Sequence, residues 1–118
     1  ETIRTEARDG MLTITLNRPE ARNAMSSLMM QELSNELERW DDDPTQRVCI
    51  LTNAGTCFCA GADLKELAAG TYHLPPGKED WGLLGMSKHA FKKPLIAAVN
   101  GVCVGGGMGV ASIVKHYK

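Results

Sequence analysis

The chain reads as an α/β protein on three observations. Residues 2–16 alternate apolar and polar positions around an Asp-Gly turn, residues 26–40 carry apolar side chains at helical spacing, and residues 48–52 and 95–99 are short continuous apolar runs. Alternation marks strands with one buried face, the helical spacing marks an amphipathic helix, and the continuous runs mark strands buried on both faces in a mostly parallel sheet. Strand, helix, strand, helix and strand in succession define the α/β class, and 118 residues suffice for one domain rather than two.

Asp9-Gly10 supplies the positive backbone angles of a tight hairpin turn, and Leu12, Ile14 and Leu16 alternate with Thr13 and Thr15. Asn17-Arg18-Pro19 ends the hairpin, because proline lacks the ladder donor and pushes the residue before it out of the helical region. Met29, Leu33, Leu37 and Trp40 then form one stripe, with Glu32, Asn35, Glu36 and Arg39 on the other side. Asp41-Asp42-Asp43-Pro44 stops this helix and reads as a solvated loop; a hard cation would need a longer, spaced ligand set. Asp63-Leu64-Lys65-Glu66 is a D-x-x-E capping box that opens a short helix, which Gly70 ends. Residues 71–81 form a loop containing proline and glycine, in which Glu79 and Asp80 are solvated; further helices are expected over 83–92 and from Met108.

Composition excludes several classes of function. Hydrophobic residues at 43% and charged residues at 23% match globular proteins, and a formal net charge of -1 without a basic stripe argues against nucleic acid as a partner. No apolar run approaches the roughly 20 residues that cross a bilayer, and the first ten residues are too polar for a signal peptide, so the expected location is cytoplasm or an organelle matrix, with no membrane partner. Cys49, Cys57, Cys59 and Cys103 make no C-x-x-C pair, so they read as reduced thiols in apolar surroundings, and no metal site is expected. His73, His89 and His116 are far apart and suggest no triad, which leaves them structural or surface roles.

Chemistry is expected at two strand-to-helix junctions that contain glycine, residues 57–63 and 100–107. Free N–H donors at helix starts, with no side chain in the way, bind a phosphate or stabilise an oxyanion, although a lone glycine run is weak evidence and is more often explained by turn packing. The P-loop, dinucleotide and esterase-elbow glycine patterns are all absent.

Asn17-Arg18-Pro19 followed by Arg22-Asn23-Ala24-Met25, then Phe58-Cys59-Ala60-Gly61-Ala62-Asp63-Leu64, then Lys93 to Gly101 with Gly105-Gly106-Gly107, resembles the enoyl-CoA hydratase/isomerase (crotonase) superfamily. The match keeps order and spacing from about residue 2 to Met108. The resemblance implies a spiral of ββα units, oligomers usually built from trimers, and acyl-CoA thioester substrates, with coenzyme A as part of the substrate and no separate cofactor. It implies that the N–H groups of Ala62 and Gly106 hold the thioester carbonyl oxygen. It also implies that Ala60, Ala62, Asp63, Leu64 and Lys65 line the path of the coenzyme, whose entrance Arg22 and Ala24 border. An enolate formed from a thioester needs donors aimed at the developing charge, which agrees with the reading of the glycine junctions.

The chain departs from the pattern over 109–118 and so resembles an amino-terminal portion, within one crotonase-like domain over 1–118, with an altered end. Gly109 stands where hydratases of the family carry a glutamate, and Asp63 and Glu66, explained by capping, offer no substitute. The expected function is therefore an acyl-CoA-binding hydratase or isomerase of this family that polarises a thioester carbonyl, acting in fatty-acid or related acyl-CoA metabolism. The alternative is a crotonase-like module that binds or forms oligomers without catalysis.

Overall fold

Leu12, Ile14 and Leu16 project from one side of their strand, and burying them fixes how the hairpin lies. In the computed structural model, which describes residues 2–81, 89–103 and 115–116, β1 (Ile3–Arg8) and β2 (Met11–Leu16) pair antiparallel across Asp9 and Gly10, both at positive φ. Leu12, Ile14 and Leu16 are buried, while β1 is exposed from its second residue onward.

α1 (Ser27–Asp42) starts where the Ser26 Oγ accepts the Met29 N–H at 3.1 Å, an N-cap that satisfies one orphan donor. Met29, Leu33, Leu37 and Trp40 are buried as the spacing predicts, and Met30 widens the stripe. The helix is the crossover between β2 and β3 (Val48–Asn53), which pair in parallel. Its acidic end is solvated only in part: Asp42 and Pro44 are exposed as the sequence suggests, and Asp41 is not. Asp41 is buried and accepts the Lys92 N–H at 3.0 Å, because the segment leading into the next strand crosses the helix end. There Lys93 Nζ donates to the Trp40 carbonyl at 2.6 Å, a second bond to an oxygen of the last turn that also accepts the Asp43 N–H at 3.1 Å.

β3 also pairs in parallel with β5 (Leu95–Ala97), and β7 (Lys115–His116) extends the sheet beyond β5, giving the order β1-β2-β3-β5-β7, while β6 (Val102–Cys103) lies outside this sheet. Parallel pairing agrees with expectation; burial on both faces does not. Cys49 and Leu51 are buried in one cluster with α1 and Asn53 is buried among loop carbonyls, whereas Val48, Ile50 and Thr52 are only half-buried, since the helix layer covers one face of the strand. The core lies between that face and α1, where Ile14, Leu16, Met29, Leu33, Leu37, Trp40 and Leu51 form one cluster.

The junction at 57–63 holds a strand of its own, β4 (Cys57–Cys59), which pairs in parallel with β6 as a separate two-stranded sheet and buries Phe58 completely. α2 (Leu64–Ala69) follows and ends on Gly70 at φ 72°. Two strands and a helix thus recur, β1-β2-α1 and then β3-β4-α2, before β5-β6. This is the ββα repeat that the resemblance implies.

The loop over 71–81 closes in a 3-10 turn, Glu79–Trp81, with Glu79 and Asp80 exposed and Trp81 stacked on His89 at 3.7 Å. Of the helix expected over 83–92, residues 82–88 lie outside the described residues and 89–92 are irregular; the helix expected from Met108 also lies outside them. Cys49, Cys57 and Cys59 are buried, and burial, with a smaller push from Glu36, raises the Cys49 thiol to about 12. Among the described residues no helix is long and apolar enough to cross a membrane.

Candidate functional site

The site begins where the hairpin ends. Pro19 opens a 3-10 turn, Pro19–Ala21, after which Arg22 and Asn23 both take φ 53°, a left-handed conformation uncommon outside glycine. The buried Asn23 side chain holds it. Its Oδ1 accepts the Arg18 N–H at 2.7 Å, and its Nδ2 donates to the carbonyls of Ala54 at 3.0 Å and Cys57 at 2.7 Å. The chain leaves this turn running beside residues 60–63, and Ala60 N–H donates to the Arg22 carbonyl at 3.1 Å.

Met25 and Ala62 then form a single parallel bridge. Met25 N–H donates to the Gly61 carbonyl at 2.7 Å, and Asp63 N–H donates to the Met25 carbonyl at 3.0 Å. In a trans peptide the carbonyl and the following N–H point in opposite directions, so the Gly61 carbonyl that faces Met25 turns the Ala62 N–H directly away from it. That N–H has no acceptor among the described residues. Gly61 reaches this geometry at φ 94°, where a side chain would be strained.

Asp63 caps α2 as expected, its Oδ1 accepting from Lys65 N–H at 2.9 Å and Glu66 N–H at 3.3 Å. The return half of the capping box does not form. Asp63 N–H is committed to Met25, and the Glu66 carboxylate instead accepts from the N–H and hydroxyl of Ser27, at 2.7 and 3.0 Å, which ties α2 to the start of α1. Arg18 lies against the other Asp63 oxygen at 3.3 Å and donates to the Ala24 carbonyl at 2.6 Å. Burial works to raise the Asp63 pKa, but the Glu66 N–H, the Arg18 guanidinium and the Lys65 N–H outweigh it and hold the carboxyl below the usual range.

These segments enclose an open cleft of about 440 Å³. Arg22, Ala24, Ala60, Ala62, Asp63, Leu64 and Lys65 all line it, so every expected site residue except Gly106 comes together; Gly106 lies outside the described residues, as does Gly109. Arg18, Glu20 and Ala21 line it too, and the sequence reading did not include them. The signal for Arg18 was its place before Pro19, whose turn folds the chain back over residues 22–24. Arg22 and Lys65 are exposed and make no ion pair among the described residues, so their charges face solvent at the cleft.

The entry to the second glycine run is fixed beside β4. Asn53 Nδ2 donates to the Asn100 carbonyl at 2.9 Å, and Asn100 N–H donates back to Asn53 Oδ1 at 3.1 Å. Gly101 follows at φ 107°, where a Cβ would sit 1.9 Å from the Thr56 carbonyl oxygen, so only glycine fits. Among the described residues no group of three or more His, Cys, Asp and Glu side chains is placed to hold a metal.

The class of protein defined by this fold and cleft is confirmed by comparison. Residues 6–115 match the enoyl-CoA hydratase/isomerase family model, and the chain belongs to that family. It is 46% identical over 110 residues to a mevalonyl-coenzyme A hydratase of Beauveria bassiana, covering 86% of this chain and 39% of that protein. It is 41% identical over 117 residues to a hydroxycinnamoyl-CoA hydratase-lyase of Pseudomonas fluorescens, covering 91% and 41%. Among solved structures, a carnitinyl-CoA dehydratase from Mycobacterium avium 104 superposes with a TM-score of 0.90 at 41% identity, over 96% of this chain and 44% of that one. The chain thus spans about two fifths of the length of these relatives.

Proposed function

We propose that this chain carries the thioester-binding and carbonyl-polarising part of an enoyl-CoA hydratase/isomerase-type enzyme. The observation that carries the reading is the Ala62 N–H, turned outward at a cleft and free of any acceptor among the described residues. In this role it donates to the thioester carbonyl oxygen together with the Gly106 N–H, and both bonds strengthen as the oxygen gains charge in an enolate; one such donor is worth about 3 kcal/mol of barrier. Arg22 and Lys65 give the cleft mouth positive charge suited to the phosphates of coenzyme A, and Ala60, Ala62 and Leu64 offer small or apolar surface to the rest of the coenzyme. The chemistry requires no cofactor beyond the coenzyme A of the substrate.

The relatives described above carry hydratase or dehydratase names, which supports the catalytic reading over a module that only binds, and their acyl groups differ, so the acyl group is left open. With Gly109 in place of the family's glutamate, hydration of a short 2-enoyl-CoA is expected to be about 100-fold to 10,000-fold below that of an enzyme with its acid–base group. The deciding experiment titrates the protein with free coenzyme A and with a CoA thioester that mimics the enolate. Ala62→Pro, which removes the donor, should weaken the enolate mimic far more than free coenzyme A. Equal losses for the two ligands would refute the assignment.

A further inference from the structure

We propose that Arg18 is a positioning residue that holds the Ala62 N–H in its outward orientation, by bracing the two chain segments whose pairing sets it. The inference rests on the reading of Ala62 as a carbonyl-polarising donor.

That orientation depends on one isolated bridge. Among the described residues the Met25 N–H to Gly61 and the Asp63 N–H to Met25 bonds alone define it, and no ladder continues it on either side. Two bonds between irregular segments leave the peptide plane free to tilt unless the flanks are fixed. One flank is held by the Ala60 N–H to Arg22 bond. Arg18 holds the other: the same Nη1 donates to the Ala24 carbonyl at 2.6 Å and lies 3.3 Å from Asp63 Oδ2. Ala24 precedes Met25 and Asp63 follows Ala62, so the guanidinium joins the two segments immediately beside the bridge.

Both ends of this clamp are anchored. The Arg18 backbone is fixed by Asn23, whose Oδ1 accepts its N–H and whose N–H donates to its carbonyl at 2.8 Å. The second carboxylate oxygen of Asp63 is fixed by the first N–H groups of α2. The Arg18 and Asp63 side chains are 22% and 12% exposed, so solvent screens the pair only partly. A guanidinium presents several donors in one rigid plane and serves a carbonyl and a carboxylate together, whereas an ammonium is a single point on a flexible stem.

The test uses the intact polypeptide and two readouts. One is the infrared carbonyl stretch of a bound saturated acyl-CoA labelled with ¹³C at the thioester carbonyl, which falls in frequency as the oxygen is polarised. The other is the affinity for free coenzyme A. In Arg18→Met most of the frequency shift should be lost, and affinity for an enolate-mimicking CoA thioester should fall about 10-fold to 100-fold, the scale of a misplaced group, a much larger loss than that of free coenzyme A. Arg18→Lys should restore part of the shift. Asp63→Asn, whose amide still caps α2, should reproduce the loss, and it carries the test should Arg18→Met fail to melt cooperatively. A full shift retained in both Arg18→Met and Asp63→Asn overturns the inference. So does an equal loss of free coenzyme A, which would make Arg18 a direct phosphate contact. An unsubstituted protein that leaves the carbonyl unpolarised overturns the reading of Ala62 itself, a failure distinguishable because it precedes any substitution.

Discussion

Asn23 is fully buried, left-handed, and bonded through both ends of its amide to three backbone groups. Alanine at this position would strand the Arg18 N–H, leave the Ala54 and Cys57 carbonyls only their longer bonds from Asn53 Nδ2, at 3.5 and 3.3 Å, and also meet the cost of positive φ. Asn23→Ala is expected to destabilise the fold by about 3 kcal/mol, read from the midpoint and slope of urea unfolding; a change within about 0.5 kcal/mol would show that water replaces these bonds. Asp63 makes a pH prediction. Its folded pKa is depressed, so between the folded and unfolded values the unfolded chain binds the extra proton and stability rises with pH. Its contribution is complete above the unfolded value near 3.9 and is lost as pH falls through the lower folded value. Stability measured from about pH 5 to pH 2 should therefore fall less steeply in Asp63→Asn than in the unsubstituted chain. Asn23 was legible only as part of a motif. That an asparagine tolerates left-handed φ is a local property, but which carbonyls it reaches depends on the β3–β4 loop brought against it.

At the scale of elements, α1 was readable almost to its ends, because four apolar positions at helical spacing and a serine cap act within one segment. β4 and β6 were not, since strands of three and two residues show no period. They exist because β3 and β5 run parallel and carry their following loops to the same end, where Asn53 and Asn100 bond to each other. Gly101 tests that junction. A Cβ 1.9 Å from a backbone oxygen cannot be relieved by a side-chain rotation, so Gly101→Ala must move the loop at Thr56. We expect a loss of at least about 2 kcal/mol in thermal or denaturant unfolding. An unchanged midpoint would mean that the two loops part without cost.

For the whole molecule, the half-buried face of β3 and the exposed Leu28 and Leu67 leave apolar surface that a single copy does not cover among the described residues. Surface of that kind favours association, and the trimer-based assembly common in the family is our proposal for its form. Sedimentation equilibrium is expected to show a concentration-dependent mass above that of one chain; a monomer at every concentration, with cooperative unfolding, would refute it.

Sequence alone determined the α/β class, the hairpin, the long helix, the parallel strands and the family, since each is written in local spacing or in linked motifs that one segment can satisfy. It also named seven of the residues that meet in the cleft. Tertiary structure decided which face of β3 is covered, that Asp41 is buried by the segment before β5, and that Glu66 bonds to Ser27 rather than closing its own capping box. It decided the direction of the Ala62 N–H, which follows from a bridge to Met25 lying 37 positions away. A hydrogen bond across that separation depends on how the intervening helix and strands pack, and no pattern within either segment encodes it.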